Sequence, residues 1–457
     1  MNSPRPSTLV SGPAADSRRG LFLPEITPAA GQQVIRADTL LVLLCLSFGP
    51  LIYGASAQAV TPMLLSAGVI LIASRPGGIA IIAKSARALA AIIPLLAWML
   101  ASAIWSLDGE ASVSLMLRLA VLFSAGALLV TGFGVLPLGQ LHRPLLALAL
   151  GLSAAGAAVA VDLELGGHLS RILHGARPAG FDPALDYGRA AILHAILLVP
   201  VSVGLLRLGA PLLAAGYALF TAIAIVSTSS LAAKMALATG FVSLTMVLIL
   251  PQLRWVGLAL LGVAALTMPL VFPVSLSPAA SCWLANHKPS ALHRLDIWDF
   301  VAEHIKQRPV AGWGLDAARR LPGGHAPVTI HHCDAAERPD GIALSSEIVP
   351  LHPHNGILQI WLELGGIGIG LFFVPLILLI GHVFRIPPWR DRLVQAMIAG
   401  CAAAAVSIGL VSFGVWAEWF VSGLFFVAAF VVLVARQSTE LVEGAILPNA
   451  QGGGLDR

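Results

Sequence analysis

The stretch HPHNGILQIWLELGGIGIGLFFVPLILLIG, residues 352–381, decides the fold of this chain. After its two histidines it carries one charged side chain, Glu363, and most of the remainder is Ile, Leu, Phe or Gly. A bilayer core about 30 Å thick needs roughly 20 predominantly apolar residues in a helix. The stretch is therefore predicted to be a transmembrane helix. Gly366 and Gly370 form a GxxxG pair, which predicts close packing against a neighbouring helix.

Apolar runs of similar length recur along the chain and predict an all-α, polytopic membrane protein of about twelve transmembrane helices. Of the 457 residues, 57% are hydrophobic and 11% are charged, whereas soluble domains carry roughly 25% charged residues. The formal net charge of +4 is scattered and does not indicate a nucleic-acid partner. The predicted spans are residues 38–55, 57–74, 88–106, 112–131, 144–162, 187–206, 211–228, 233–250, 255–275, 355–381, 393–413 and 416–435.

Composition divides the chain into five parts. Residues 1–36, rich in Pro, Ser, Ala and Gly, are expected to be a disordered cytoplasmic tail without a cleavable signal peptide. Residues 436–457 are expected to be a second cytoplasmic tail. Helices one to nine occupy residues 37–275 and helices ten to twelve occupy 355–435. The polar segment 276–354 between them is the long extramembrane loop of the sequence.

The basic residues are distributed unevenly between alternate connections, which indicates the orientation of the helices. With the N-terminus in the cytoplasm, the cytoplasmic connections hold Arg75, Lys84, Arg87, Arg143, Arg207, Arg254, Arg385, Arg390 and Arg392. The exceptions on the other side are Arg171, Arg177, Arg189 and Lys234, and they need a separate explanation. This asymmetry predicts that both termini are cytoplasmic and that the 276–354 loop is extracytoplasmic.

The large loop contains a predicted amphipathic helix, LHRLDIWDFVAEHIKQ at residues 292–307. Its apolar face consists of Leu295, Trp298, Val301 and Ile305. One interpretation is a lid lying on the membrane surface with Arg294 merely solvated, and the other is a site that uses Arg294. Cys282 and Cys333 in the same loop either form a disulfide in an oxidising compartment or remain free thiols.

The tenth predicted helix begins with a polar stripe. Asn355, Gln359 and Glu363 are spaced by four residues, and Glu363 lies on the order of 13 Å beyond His354. Because an unpaired charge at that depth costs at least a few kcal/mol, Glu363 is interpreted as the structural partner of a basic group. His354 is either an interfacial histidine without a role or a group that exchanges a proton near neutral pH. Arg118 is expected to pair with an acid or to line a polar cavity.

Common signatures of soluble enzymes and metal sites are absent from the sequence, which has no GxxxxGK[ST], HExxH, GxSxG or CxxC. The run His331-His332-Cys333-Asp334 has metal-binding residue types. Adjacent loop residues are poor chelators, however, and no second ligand pair has standard spacing. The sequence therefore predicts no metal and no soluble cofactor.

Three ordered motifs resemble those of the O-antigen ligase and O-antigen polymerase family. They are RxxxW at Arg294–Trp298, PxxGxG at Pro309–Gly314 and HNxxLQxxxExGxxGxxxF at His354–Phe372. The resemblance is close over about residues 290–373, and it extends loosely over the chain through the helix count and the position of the loop. The segment Gly180–Pro183 after Arg177 is also similar to the family's segment before the sixth helix, with Asp182 where asparagine is common.

The resemblance implies a metal-independent, integral-membrane glycosyltransferase of the GT-C type in the bacterial inner membrane. Such enzymes move a glycan from an undecaprenyl-diphosphate carrier to a hydroxyl acceptor on the periplasmic side. A ligase delivers it to lipid A-core, and an O-antigen or exopolysaccharide polymerase delivers it to another lipid-linked repeat unit. The family's loop arginine maps onto Arg294 and its loop histidine onto His354. Lys234 stands about one helical turn after the position of a second basic residue.

The residue types suit this chemistry on physical grounds. Undecaprenyl diphosphate leaves as a dianion or trianion, so nearby cations stabilise its charge. The candidate cations are Arg294, Arg177, Arg189 and Lys234. His354 would serve as base or orienting acceptor for the attacking hydroxyl, and direct displacement would invert the anomeric centre. Asn355 and Gln359 are predicted to support the helix end and to bind the sugar.

A different class, a secondary transporter or a flippase of lipid-linked oligosaccharide, also suits many helices with intramembrane charges. Such carriers typically have two similar halves. This sequence has no evident internal repeat, and its long loop follows helix nine rather than a midpoint. A glycosyltransferase with a protein acceptor is a third alternative that would share the same donor.

Overall fold

The computed structural model describes residues 37–73, 78–136, 141–175, 186–333, 341–385 and 389–446, which form a helical bundle with one small hairpin. The helices before the large loop are α1 Ala37–Ala55, α2 Val60–Ala73, α3 Gly78–Leu89, α4 Ile93–Ser102, α5 Gly109–Gly134, α6 His142–Glu164, α7 His168–His174, α8 Gly188–Arg207, α9 Pro211–Ser227, α10 Leu231–Ile249 and α11 Leu253–Thr267. The loop and the last helices are α12 Pro278–His287, α13 Pro289–Gln307, β1 Pro327–His331, β2 Ile342–Glu347, α14 Gly356–Val383, α15 Arg392–Val411 and α16 Glu418–Ile446.

Every predicted span coincides with helix, and the chain is a multi-pass membrane protein. Within the described residues, nine helices are long and apolar enough to cross a membrane. The helices at the first, second and seventh predicted spans do not meet these criteria of length and apolar composition. Helix α9, for example, has 17 residues, which give a rise of about 26 Å. The count of twelve therefore stays a prediction. Residues 1–36 lie outside the described residues, and α16 continues to Ile446, into the segment predicted as a tail.

The centre of the bundle is α8. All its residues from Ala190 to Val201 are buried, and it packs against α6, α9, α10, α15 and α16. The outer faces of other helices keep large apolar side chains exposed, including Phe241, Leu260 and Leu378. Water would disfavour such a surface, whereas lipid tails match it.

Helices α10 and α15 pack closely along their length, and glycines permit this approach. A Cβ at Gly400 would lie 2.9 Å from the carbonyl oxygen of Gly240, and Thr239 donates to the hydroxyl of Ser407 at 3.1 Å. The predicted GxxxG contact is wrong at its second glycine, because a Cβ at Gly370 would meet no atom within 4 Å. Small residues do mediate close packing here, but on other helices.

The large loop folds into a second hydrophobic core. The predicted amphipathic helix is α13, and it begins earlier than expected, with Pro289 in its first turn. Its residues Val301 and Ile305 pack with Leu358 and Leu362 of α14. The interpretation as a lid lying on the membrane is therefore wrong, because the apolar face is buried against protein.

A hairpin and a disulfide complete the loop. Strands β1 and β2 pair antiparallel, with Thr329 opposite Ser345, and they form a small sheet beside the helices of the described residues. The structure joins Cys282 and Cys333 in a disulfide, with their Cα atoms 5.6 Å apart. The disulfide ties α12 to the end of β1.

Candidate active site

The candidate site is built around a break in α14 at Gly365, whose φ of 66° and ψ of −167° are not helical. A break frees carbonyl groups that no solvent can satisfy at membrane depth. Here the freed carbonyls receive other donors. The carbonyl oxygens of Leu362, Glu363 and Leu364 accept from Trp313 N–H at 2.8 Å, Gly314 N–H at 2.8 Å and Trp98 Nε1–H at 3.0 Å.

The loop segment Pro309–Gly314 is thereby bound to the broken helix on both sides of the break. On the far side, Gly366 N–H donates to the carbonyl oxygen of Pro309 at 2.8 Å. The loop backbone and the helix backbone approach so closely here that the motifs need glycine at the contact points. A Cβ at Gly312 would lie 2.5 Å from the carbonyl of Glu363, and one at Gly365 would overlap the carbonyl of Val310. The PxxGxG and ExG motifs therefore specify one backbone junction.

Glu363 is completely buried within the first half of α14. Its carboxylate accepts from Gln359 Nε2–H at 3.0 Å and from Trp416 Nε1–H at 2.7 Å. Gln359 Oε1 accepts in turn from the backbone N–H of Val415 at 2.9 Å. The expectation of a basic partner is wrong, since no ion pair of Glu363 occurs in the described part of the chain. The network instead fixes the turn between α15 and α16 against α14.

The RxxxW motif positions the histidine segment. Trp298 donates its indole N–H to the carbonyl oxygen of Pro353 at 2.8 Å. Arg294 lies one helical turn earlier on the same face of α13, and its charge lowers the pKa of both His352 and His354. The motif thus combines an anchor for the histidine segment with a cation beside it.

The two histidines have opposite tautomers. His354 Nδ1–H donates to the carbonyl oxygen of Ser412, which can only accept, so the lone pair of the neutral ring is on Nε2. His352 Nδ1 accepts from the backbone N–H of His354 at 3.2 Å, so the neutral ring carries its proton on Nε2. The rings lie 4.3 Å apart between centroids. One therefore presents an acceptor and the other a donor.

The backbone of the site is strained at two residues. Among the described residues, Asp316 and His354 are the non-glycine positions with positive φ, at 61° and 55°. Such conformations persist only where surrounding contacts enforce them, and they cluster at functional sites. The hydrogen bond to Ser412 and the anchor from Trp298 supply those contacts at His354.

Three arginines lower the pKa of His352, and one of them, Arg294, also lowers the pKa of His354. Burial lowers the pKa of His352 to about 3, with further lowering from His354, Arg319, Arg189 and Arg294. Burial also lowers the pKa of His354 to about 4, opposed by its bond to Ser412 and assisted by Arg294 and His293. Both rings are therefore neutral at pH 7. The cations come from three elements: Arg189 from α8, Arg294 from α13 and Arg319 from the turn after Gly314.

A cavity of about 550 Å³ opens beside His352, within the usual size of ligand sites. It is lined by polar and aromatic side chains that include Arg118, Asp316, Arg319, His352, Trp416 and Glu418. Arg118 pairs with Glu418 at 2.8 Å and Arg319 with Asp316 at 3.1 Å. Arg118 thus meets both expectations, pairing with an acid and lining a polar cavity.

The other site residues predicted from the sequence have different positions and partners in the structure. Asn355 caps α14, accepting from the N–H groups of Ile357 and Leu358 at 3.1 Å each, which confirms its support of the helix end. Gln359 lines the cavity but uses its amide in the Glu363 network. Arg177 lies outside the described residues.

Lys234 is at the same end of the bundle. A Cβ at Gly188 would lie 3.5 Å from Ser230 Cβ, so the starts of α8 and α10 are adjacent. The antiparallel contacts of Thr239 with Ser407 and of Ser243 with Ala399 set Lys234 about level with the end of α15. No ion pair of Lys234 is found among the residues that the structure describes.

The sequence reading missed His352, Arg319, Asp316 and Trp416 as members of the site. For His352 a signal existed in the HPHN spacing, because residues two apart in an extended segment point to the same side and can face the same neighbours. For the other three no local pattern pointed to the cavity. Within the described residues, no group of three His, Cys, Asp or Glu side chains could hold a metal ion.

Most residues of the candidate active site lie in the part of the chain, residues 216–373, that matches a known protein family. Residues 216–373 match the family described as O-antigen ligase. A Rickettsia conorii protein named "Putative polysaccharide ligase" is 31% identical over 182 residues, which are 39% of this chain and 41% of that protein. A protein of the same description from Rickettsia prowazekii is 32% identical over 181 residues, 38% of this chain and 41% of its own length.

The chain thus aligns with about two fifths of the length of the curated relatives that it matches. The family match includes Lys234, Arg294, His352 and His354 but not Arg189. It confirms the resemblance drawn from the three ordered motifs. Residues 216–373 of the chain are thus similar to the O-antigen ligase family, the family that the three ordered motifs resemble.

Proposed function

We propose that the protein transfers a glycan from an undecaprenyl-diphosphate carrier to a hydroxyl acceptor at the periplasmic face of the bacterial inner membrane. The reaction is a metal-independent, inverting glycosyl transfer of the O-antigen ligase or polymerase type. The observation that carries the proposal is the pair His352 and His354, held in opposite tautomers among three arginines beside a polar cavity. The family match over residues 216–373 supports the same reaction class.

The arginines are suited to the diphosphate. Guanidinium groups bind phosphate oxygens through two parallel N–H bonds. Arg294, Arg189 and Arg319 belong to separate elements, and each lowers the pKa of His352, so a diphosphate bound beside His352 would be stabilised by all three cations. Lys234, near the end of α15, is proposed to add charge at the periphery, and Arg177 remains a proposed cation for the same carrier. The negative charge that develops on the leaving oxygen is thereby stabilised.

His354 is proposed as the base. Its Nε2 lone pair takes the proton of the acceptor hydroxyl while that oxygen bonds to the anomeric carbon of the donor sugar. The bond between the anomeric carbon and the diphosphate oxygen breaks, and the electron pair leaves with the undecaprenyl diphosphate. Attack opposite to the leaving group inverts the anomeric centre.

The low pKa of His354 connects donor binding to this step. Burial is the main cause of the low value, and the positive charge of Arg294 is a further cause. The negative charge of a bound diphosphate would offset the positive charge of the arginines, and this would raise the pKa of His354. The histidine would then be a stronger base when the donor is in place than when it is absent.

The cavity beside His352 is proposed to hold sugar residues. Its Trp416 and Trp419 provide apolar ring surfaces, and its two ion pairs provide donors and acceptors for hydroxyl groups. His352 Nε2–H would donate to a sugar oxygen or to the diphosphate. Asn355 and Gln359, which have structural partners, would act on the sugar mainly by holding this wall in place.

The test is glycan transfer by the purified full-length protein in nanodiscs, with a lipid-linked glycan as donor and with no added metal. Transfer with inversion, unaffected by EDTA, is expected. Transport of the lipid-linked glycan across the bilayer without any glycosidic bond formed would contradict the proposal and favour a flippase.

The glycans that accumulate in a deletion strain distinguish a ligase from a polymerase. Long carrier-linked glycan with a bare lipid A-core would identify a ligase. Carrier-linked single repeat units would identify a polymerase. Normal lipopolysaccharide and normal exopolysaccharide in the deletion strain would contradict both versions.

A further inference from the structure

A second polar cavity lies at the opposite end of the bundle, about 530 Å³ in volume. It is formed where α10 ends, α11 begins, α14 ends and α15 begins. The candidate active site is at the start of α14, so the 28 residues of that helix separate the two cavities by roughly 40 Å. The second cavity is lined by Arg254, Arg385, Arg390 and Arg392, with Trp255, Phe384 and Gln395.

Contacts with aromatic rings and backbone carbonyls hold these arginines in place. The guanidinium carbon of Arg254 lies 5.2 Å from the centroid of Trp255, and that of Arg385 lies 5.4 Å from the same ring. Arg392 Nη2 donates to the carbonyl oxygen of Ile249 at 2.6 Å, and Arg390 Nε donates to that of Arg385 at 2.8 Å. These bonds use few of the five N–H groups that each guanidinium carries.

Acidic side chains do not neutralise the cavity. None lines it among the residues that the structure describes, and the adjacent Asp391 pairs with Arg207 at 2.7 Å. The Nε atom of Arg254 is buried without a hydrogen-bond partner. Four positive charges therefore converge on one cavity that no acidic side chain of the described residues lines.

Membrane topology alone does not account for this arrangement. A cytoplasmic location explains why connections contain arginine and lysine, and it requires only that they be near the surface. Lys84 and Arg87, predicted to be on the same side, are exposed on α3 and line no part of this cavity. The convergence of four arginines on a tryptophan-lined cavity calls for a ligand.

We propose that this cavity binds the phosphate group of an anionic phospholipid. Arginine forks match phosphate oxygens, tryptophan favours the headgroup level of a membrane, and basic pockets between helix ends on the cytoplasmic side bind anionic headgroups. Exposed apolar side chains next to the cavity, Leu250, Val256 and Leu260, offer a surface for the acyl chains. This site is separate from the proposed glycosyl transfer.

The lipid would bridge two parts of the chain. Arg254 belongs to the connection between α10 and α11, whereas Arg385 and Arg390 belong to the connection between α14 and α15. A phosphate held by arginines from both connections lowers the repulsion between them. We therefore expect the bound lipid to raise the thermal stability of the protein as well as to occupy the cavity.

The test compares two double variants of the full-length protein by native mass spectrometry in detergent with added phosphatidylglycerol or phosphatidylcholine. Arg385→Gln with Arg390→Gln removes two charges from exposed positions of the cavity. Lys84→Gln with Arg87→Gln removes two charges elsewhere at the same end. Wild type and the Lys84/Arg87 variant should retain one tightly bound phosphatidylglycerol. The cavity variant should bind it on the order of tenfold to thirtyfold more weakly.

Three results would overturn the proposal. One is equal binding of phosphatidylglycerol by all three proteins, and another is equal binding of phosphatidylglycerol and phosphatidylcholine by wild type. The third is binding of inorganic pyrophosphate, used as a soluble probe, with no binding of phosphatidylglycerol, which would identify a site for a free phosphate compound. Arg385→Lys with Arg390→Lys controls for folding and should bind phosphatidylglycerol more tightly than the Gln variant but less tightly than wild type, because lysine keeps the charge and lacks the fork.

Discussion

The backbone N–H of His354 donates to Nδ1 of His352 at 3.2 Å, so the position of one histidine sets the tautomer of the other. The positive φ of His354 turns that N–H back toward its neighbour. Nε2 of His352 then carries a hydrogen, and Nε2 of His354 carries a lone pair. The hydrogen-bond donor of His352 and the hydrogen-bond acceptor of His354 thus lie on neighbouring rings, close to positively charged arginines.

The two histidines should differ in the kinetic step that they affect. His354→Ala should lower the rate of transfer by about 10²–10⁴ through loss of the base, with binding of the lipid-linked donor nearly unchanged. His352→Ala should cost far less, because it removes a hydrogen-bond donor but leaves the base in place. Initial rates and donor binding, measured separately in nanodiscs, check both expectations. Equal losses of rate, or a donor-binding defect in His354→Ala, would contradict the assignment.

Arg294 should act on the donor through its fork as well as its charge. Arg294→Lys keeps the charge but loses bidentate geometry, so activity should fall strongly while the protein remains inserted and folded. Arg294→Ala should weaken binding of the donor further. Lys306→Ala, on the exposed surface of the same helix, is the matched control and should leave activity unchanged. Full activity in Arg294→Ala would remove this residue from the site.

The pH dependence of the reaction should report the low pKa of His354. With that pKa at about 4, the free enzyme keeps an unprotonated base at all pH values above about 5, so kcat/KM should not fall between pH 8 and 6. Activity should be lost only as the pH decreases further and the ring is protonated. Arg294→Gln removes a positive charge near His354, which should raise the pKa of the ring. The loss of activity on the acid side of the pH profile (its acid limb) should therefore begin at a higher pH. An acid limb near pH 6.5 in wild type would contradict the burial of the ring.

The junction at Gly365 should be intolerant of any side chain. Gly365→Ala places a Cβ against the carbonyl of Val310 and forces alanine into a φ of 66°. Strain of this kind costs about 1–3 kcal/mol before the overlap is added. Thermal unfolding in detergent should therefore shift down, with loss of transfer activity. Gly370→Ala on the same helix faces open space and should be neutral; equal destabilisation by both substitutions would argue against the junction.

The orientation of the loop can be checked with reporter fusions. We expect alkaline phosphatase to be active when fused at Ala326 and inactive at the C-terminus, because the connections rich in arginine face the cytoplasm. A cytoplasmic reporter should give the reverse pattern. Phosphatase activity only at the C-terminal fusion would place the candidate site on the cytoplasmic side.

Several features were accessible from local sequence because their causes are local. A helix crosses lipid when a run of about 20 residues is apolar, so each predicted span coincides with a helix. The amphipathic period of α13 predicted its buried residues Val301 and Ile305. The family resemblance pointed to Arg294 and His354, and one of the two interpretations of the sequence placed α13 on the membrane surface. Periodicity shows which face is apolar but not what covers it.

By itself, the sequence determined the class of the protein, the order of its motifs and the residues able to bind phosphate or transfer a proton. Hydropathy and residue chemistry act over one helix length at most. The tertiary structure decided what depends on distant contacts: Gly314 with Glu363 at the break, Ser412 with His354, and the meeting of Arg189 and Arg319 near His352. Those partners come from separate helices and loops, and only packing of the whole bundle sets which nitrogen of each histidine carries the proton.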